Sequence, residues 1–275
     1  MRTCRCQRSP RDHRAWNQEL ATELGFVLVR GLPIDELDEH EAALAFVALG
    51  THLGTPVGQN KAGDLLTHIR DERLPDPSRA RRYRTNLRQE FHTDGADIIG
   101  LLCLHQGRSG GESRIASTGA IVAQLREQRP DLYEVLLRPL PWDRQGEQLP
   151  GEPAWFELAP FAEVGGEVRV FYIGWYVRAS QQHPDAPRLT AEQLEAMALL
   201  ESLADDPANH LEMAFEPGDV QLLNNARILH AREAYEDDPD PAERRHLLRL
   251  WLAAHAFASV EELLRGGLGT PLADR

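Results

Sequence analysis

Apolar positions along this chain recur in short blocks whose period changes from block to block. Residues 13–24 carry Trp16, Leu20 and Leu24 at helical spacing, and Gly25 stops that pattern. Phe26-Val27-Leu28-Val29 is an unbroken apolar run that reads as a buried strand ending at Gly31. From Asp35 to about His52, Ala43, Leu44, Phe46, Val47 and Leu49 predict a helix. Residues 72–82 are charged and contain prolines, which predicts a mobile loop. The run Ile98–Leu104 predicts a strand, and a Gly110-Gly111 turn leads to a short strand at 113–115. Residues 118–138 are expected to form one helix, ended by Pro139 and Pro141. Residues 142–165, rich in Gly, Pro and acids, are expected to form a lid or surface loop, and 168–177 an aromatic strand. Thr190 with Gln193 three residues on is a capping-box signature for a helix running to about Leu203. The last third predicts strands at 210–215, 219–224 and 245–253, the first two joined by a Pro217-Gly218 turn. Many short strands around helical inserts imply a mainly β fold with helices (α+β), a sandwich or barrel with helices packed outside.

Bulk properties narrow the setting. A chain of 275 residues with 42% hydrophobic content can bury one large core, so a single domain over 13–275 is expected, behind a polar tail at 1–12 expected to be disordered. The net charge of -13 and the lack of a basic stripe argue against a nucleic-acid partner. The densest basic run, 79–84, reads as a solvated loop. Three cysteines, Cys4, Cys6 and Cys103, form no disulfide framework and point to a reducing compartment. Two thiolates at 4 and 6 leave zinc short of ligands, and Cys103 reads as a small core residue. No apolar stretch of spanning length and no signal-like segment is seen, so no membrane association and a cytoplasmic location are expected. Oligomeric state is not legible, and a homo-oligomer stays open.

The candidate chemistry begins at His92-Thr93-Asp94. On a strand, residues two apart share a face, so an imidazole and a carboxylate can meet one cation. Two histidines and one carboxylate leave open positions on a metal, the arrangement of non-haem iron(II) oxygenases, although zinc accepts the same donors. A second histidine is available at His230, after the strand Val220–Leu223. Further on, Arg245, Leu247, Arg249 and Trp251 would share one strand face. Two guanidiniums on an otherwise apolar inward face call for anionic partners, and a dicarboxylate would provide one through a charge-assisted pair.

Phe-His-Thr-Asp at 91–94, Gly-Gly-Glu-Ser at 110–113, the late His230 and Arg-Arg-His-Leu-Leu-Arg at 244–249 stand in the order of a known family. So does the early Gly-Phe-Val-Leu-Val-Arg-Gly-Leu from Gly25. Over residues 25–255 the chain resembles the taurine dioxygenase-like branch of the iron(II)/2-oxoglutarate-dependent oxygenases, which includes clavaminate synthase-like enzymes. The resemblance implies a double-stranded β-helix (jelly-roll) core with flanking helices, and iron(II), 2-oxoglutarate and O2 as cofactor and cosubstrates. It implies that His92, Asp94 and His230 bind iron and serve catalysis. It further implies that Ser113 and Arg245 hold the distal carboxylate of 2-oxoglutarate, and that Arg249 contacts an anionic group of the substrate or braces the cosubstrate. Asp94 sets the chain apart from halogenating relatives, which usually carry Gly or Ala there. The expected reaction is hydroxylation of a small carboxylate- or amino-acid-like metabolite, with release of succinate and carbon dioxide. A desaturase or ring-forming oxidase of natural-product assembly is the alternative in the same family; a non-catalytic barrel binding a small acid, or a zinc hydrolase, lies outside it.

His68, Tyr83 and Asn86 are candidates for substrate contact. His105 is read as structural, Asp97 as a cap or solvent-facing residue, and Tyr172, Trp175, Tyr176 and Trp251 as packing residues.

Overall fold

The structure, a computed structural model, describes residues 13–257 apart from 61, 77–80 and 149. The expected tail with Cys4 and Cys6, and Arg79 and Ala80 of the basic run, lie outside the described residues. The chain opens with α1 (His13–Thr22), β1 (Phe26–Val29), α2 (Glu39–Gly50), β2 (Gly54–Pro56) and β3 (Leu66–Ile69). Next come β4 (Gln89–His92), β5 (Ile98–His105), β6 (Ser109–Gly110) and β7 (Ser113–Ser117). The middle holds α3 (Thr118–Gln128), α4 (Pro130–Leu136), β8 (Leu140–Asp143), β9 (Trp155–Leu158), β10 (Phe161–Val164) and β11 (Glu167–Val170). It continues with α5 (Gly174–Ala179) and α6 (Ala191–Asp205). The last third is β12 (His210–Met213), β13 (Val220–Asn224), β14 (Ile228–Arg232), β15 (Tyr235–Glu236) and β16 (His246–Ala254).

Two antiparallel sheets form the centre. One is six-stranded, in the order β1-β13-β5-β16-β2 with β3 also on β16, and the other is four-stranded, β12-β7-β14-β4. Ile99, Leu223 and Trp251 of the large sheet pack with Ile115 and Ile228 of the small one, so the sheets lie face to face as in a double-stranded β-helix. Outside the large sheet, Trp16 and Leu20 of α1 and Phe46 of α2 cover Leu248, Leu250 and Leu252 of β16. Outside the small sheet, residues of α3 to α6 and of the β8–β11 region cover Phe91, Ala116, Leu229 and Ala231. Each central strand therefore has an outer face sealed by helices or hairpins and an inner face turned to its opposite sheet.

Local chemistry explains several boundaries. Asp38 caps α2 in a reciprocal box with Glu41, which starts that helix at Glu39 rather than Asp35; Ile34–Glu36 form a separate 3-10 turn. Thr190 and Gln193 form the box expected at α6. The single helix expected over 118–138 is two, because Pro130 has no N–H to donate and starts α4 at its first position. The loop expected at 142–165 holds the end of β8 and all of β9 and β10, pinned by the Trp142 indole N–H donating to the Leu158 carbonyl at 2.8 Å. The aromatic strand expected at 168–177 ends at Val170, and Gly174 opens the short helix α5. Aromatic and β-branched residues favour a strand locally, but here burial of Val177 beneath the helical layer decides the conformation. The segment after Asn225 is not a plain loop: Ile228–Arg232 form β14, which pairs with both β4 and β7.

Candidate active site

His92 ends β4, and its register partner across the sheet is His230 of β14. Asp94 lies just past the strand end, so the turn rather than pleat alternation brings its carboxylate to the two imidazoles. One ligand atom from each of His92, Asp94 and His230 falls within 4.8 Å of the others, and all three residues are buried. His230 Nε2 lies 3.7 Å from Asp94 Oδ2, and the two imidazole rings are 4.1 Å apart.

Backbone and side-chain bonds hold this trio in place. His92 Nδ1 donates to the Glu90 carbonyl at 2.8 Å, so its Nε2 lone pair is free for a cation. The Gln89 amide now sits 2.9 Å from that Nε2. Buried Asn225 clamps Asp94 from both sides: its Oδ1 accepts from the Asp94 N–H at 2.7 Å and its Nδ2 donates to the Asp94 carbonyl at 2.5 Å. The Tyr172 N–H donates to Thr93 Oγ1 at 2.9 Å, tying the metal turn to the segment before α5. Asp97, expected to cap or face solvent, is buried instead and accepts from the Ala254 N–H at 2.9 Å.

Electrostatics favour ligation. Burial pushes His92 down to about 3, His230 adds to the shift, and Asp94 opposes it, so the ring is neutral at ordinary pH. Burial would raise the Asp94 carboxyl, but Arg249 followed by His230 outweighs it and holds the group well below the usual carboxylate range. Arg249 Nη1 lies 3.3 Å from Asp94 Oδ2, and the Trp251 indole N–H donates to the same oxygen at 3.2 Å. Gln59 fixes Arg249 in turn, accepting from its Nε at 2.8 Å and donating to its backbone carbonyl at 2.8 Å.

Beyond the trio, an inner recess is lined by Ser113, Arg232, Arg245 and Arg249. Arg245 is 4% exposed, and its Nη1 has no hydrogen-bond partner, while Nη2 donates to the Gly111 carbonyl at 3.3 Å. Gly111 has φ +78°, and a Cβ there would fall 2.8 Å from Arg245 Nε, so this glycine leaves room for the guanidinium. Arg232 is also buried, with Nε and Nη1 unpartnered and Nη2 donating to the Thr85 carbonyl at 2.9 Å. The Tyr235 ring lies between the two guanidiniums, 5.0 Å from Arg232 and 4.9 Å from Arg245. Burial lowers Arg232 to about 10, and neighbouring Arg245 adds to that shift. Ser113 Oγ is bonded to Gln221, donating to Oε1 at 3.2 Å and accepting from Nε2 at 3.1 Å.

On its other side the trio faces an outer cavity of about 850 Å³. Arg81, Arg82, Tyr83, Trp175 and Tyr176 form part of its wall. Asp143, Gln182 and His183 form another part, with His183 Nε2 2.5 Å from Asp143 Oδ2. Arg249 lines both the recess and the cavity, whereas Arg245 lines the recess. Trp175, expected only to pack, presents its ring to His92 at 4.9 Å on the cavity wall.

Of the residues singled out in the sequence, His92, Asp94, His230, Ser113, Arg245, Arg249 and Tyr83 converge on the recess. Two do not. His68 lies on the opposite face of the large sheet, its Nδ1 2.8 Å from His246 Nε2. Asn86 is engaged with the backbone, donating to the Tyr235 carbonyl at 3.3 Å. Sequence reading missed Gln59, Asn225 and Gln221, single polar residues with no motif to mark them. It also missed Arg232, which the two-residue alternation from His230 on one strand could have revealed.

The donors fit iron and a dicarboxylate. Two imidazoles and an ionised carboxylate suit iron(II), and Arg245 Nη1, buried without a hydrogen-bond partner, is open to an acceptor. Comparison with known proteins agrees. A family model described as taurine catabolism dioxygenase TauD, TfdA family matches residues 6–251. FR-33289 synthase of Streptomyces rubellomurinus is 34% identical over 246 residues, covering 86% of this chain and 70% of that protein. A uridine-5'-phosphate dioxygenase of Amycolatopsis sp is 28% identical, covering 90% and 92%. Among solved structures, an asparagine oxygenase in complex with Fe(II), 2S,3S-3-hydroxyasparagine and succinate superposes with a TM-score of 0.66 at 18% identity, covering 88% of this chain and 78% of that one, a likeness of fold. Among the described residues no helix is long and apolar enough to cross a membrane. The chain belongs to the TauD/TfdA family and is an iron(II)- and 2-oxoglutarate-dependent dioxygenase, an oxidoreductase that uses O2.

Proposed function

We propose that this enzyme hydroxylates a small anionic metabolite, with His92, Asp94 and His230 holding the iron. The observation that carries the reading is the buried guanidinium of Arg245 in the recess beside that trio, its Nη1 without a hydrogen-bond partner. A buried cation with no carboxylate partner and one N–H group left without an acceptor is costly, and the distal carboxylate of 2-oxoglutarate would relieve it through charge-assisted hydrogen bonds. Ser113 Oγ would join that carboxylate by exchanging its bond to Gln221. When bound, iron and 2-oxoglutarate together supply the oxidising power, consuming O2 and releasing succinate and carbon dioxide.

The protein's own groups orient and exclude. Asn225 sets the Asp94 backbone, Glu90 sets the His92 tautomer, and Trp175 packs its ring against His92 on the cavity wall. Arg249 sits at the junction of recess and cavity, so it would meet an anionic group of the substrate while keeping Asp94 ionised. Arg81 and Arg82 add positive charge to the same cavity, although Arg81 is already paired with Glu147. An anion fits such a wall. The named ligands of two similar proteins, a nucleoside monophosphate and a hydroxylated amino acid, carry phosphate or carboxylate groups.

The test is an anaerobic complex of the enzyme with iron(II) and 2-oxoglutarate, followed by its charge-transfer absorption. Amino acids, carboxylates and nucleoside monophosphates are added in turn, then O2. A substrate perturbs the band, and its product gains one oxygen with stoichiometric succinate; loss of two hydrogens would instead mark desaturation. Asp94→Ala is expected to drop succinate formation to background. Succinate formation that survives Asp94→Ala, or metal-dependent turnover without O2, would sink the reading.

A further inference from the structure

The outer face of the large sheet carries a second group of metal-type donors. Glu39 opens α2, His68 lies in β3 and His246 begins β16. His68 is the register partner of Leu248, two residues from His246, so both imidazoles leave the sheet on the side of Leu248, toward α2. There His68 Nδ1 lies 2.8 Å from His246 Nε2 and 3.7 Å from Glu39 Oε1, and His246 Nδ1 lies 3.8 Å from Glu39 Oε2. One donor atom from each of the three falls within 4.8 Å of the others, the same closeness that marks the inner trio. The capping of α2 is done by Asp38 and Glu41, which leaves the Glu39 carboxylate to the two histidines.

We propose that Glu39, His68 and His246 form a second metal site, suited to zinc(II), that fastens the first turn of α2 to β3 and β16. Two imidazoles and a carboxylate are donors zinc accepts, with water completing a tetrahedron. The side chains come from three elements far apart in the chain, so a bound ion would cross-link them. The site opens to solvent, with the His68 and Glu39 side chains 42% and 57% exposed, which gives an ion a path of entry. The cross-link lies on the back of the strand that carries Arg249 on its inner face, so it would stiffen the support of the recess without entering it.

The test counts zinc per chain by elemental analysis after equilibrium dialysis against zinc(II), in the intact chain carrying His92→Ala so that the inner trio no longer competes. One zinc per chain is expected, together with a zinc-dependent rise in Tm. Adding His68→Ala, a half-exposed position whose loss leaves the core untouched, should remove both, and Glu39→Gln should weaken the binding. No zinc on the His92→Ala chain, or the same zinc count and Tm shift with and without His68→Ala, would overturn the proposal. Because the inner trio is already disabled, the outcome does not depend on the oxygenase chemistry.

Discussion

The two faces of β16 are built from alternate residues of one nine-residue strand, yet they have opposite needs. The outer face, Leu248, Leu250 and Leu252, is apolar and closed by Phe46 of α2 and Leu53. Its packing is so close that a Cβ on Gly50 would fall 2.4 Å from Leu250 Cδ2. The inner face continues Arg245, Leu247, Arg249 and Trp251, and its polar groups are not all satisfied within the chain: Arg249 has Asp94 and Gln59, but Arg245 Nη1 has no partner. One face is complete as folded and stabilises the protein. The other leaves Arg245 Nη1 unpartnered, and in the proposed function a ligand completes it. Stability and function are thus divided between the two sides of one strand, at positions one residue apart.

The sharpest way to break this contrast is Arg245→Met. Loss of a buried charge-assisted pair should weaken 2-oxoglutarate binding by about 30-fold or more, the equivalent of about 2–5 kcal/mol. The ligand-free protein should be as stable as the wild type or more so, since a buried guanidinium with no carboxylate partner is replaced by an apolar side chain. Calorimetric titration with 2-oxoglutarate and urea unfolding measure the two halves. A large fall in ligand-free stability would mean that Arg245 is structural.

Leu250→Ala is the mirror experiment. It should cost about 2–5 kcal/mol of unfolding free energy, as for other buried leucines truncated in a tight core. The dissociation constant for 2-oxoglutarate, measured on the folded fraction below the new Tm, should stay unchanged. A matching loss of affinity would show that the outer face tunes the recess directly.

The smallest expected effect concerns His246, at the outer end of the strand and surrounded by His68, His105, Arg70 and Glu39. Its value in the fold is lowered from 6.5 to about 4, mainly by burial and then by His68. The unfolded chain therefore takes up the proton first. With metal removed by a chelator, stability should be full above pH 6.5 and decline as the pH falls toward 4, by no more than about 3 kcal/mol. His246→Gln should flatten that decline in urea titrations across the window; an unchanged slope would place its origin elsewhere.

Much of the candidate site, the cluster that the fold brings together, was legible in the sequence because its parts are marked locally. The His-x-Asp pair, the double glycine and the Arg-x-x-x-Arg that runs into β16 each mark their donor groups within a few residues, although a turn, not strand alternation, places Asp94. The capping box at Thr190 was equally local. The misreadings have tertiary causes. Residues 168–177 have strand composition throughout, but packing against the helical layer turns their second half into α5. His68 has no sequence feature to tell the inner side of the sheet from the outer; the register of β3 on β16 settles it. Asn225 and Gln59 are isolated polar residues whose roles arise only because the fold sets them against Asp94 and Arg249.

Taken alone, the amino-acid order determined which strands and helices could form, which residues offer imidazole, carboxylate and guanidinium groups, and that neighbouring positions on β16 must face opposite ways. These follow from backbone geometry with a period of two or 3.6 residues, which every chain obeys locally. Only the tertiary structure decided that His230 pairs with His92 across the small sheet, that Arg249 is neutralised by Asp94 while Arg245 is not, and that a second set of donors meets behind the strand. Those outcomes depend on strand register and sheet packing between segments more than a hundred residues apart, which no local period encodes.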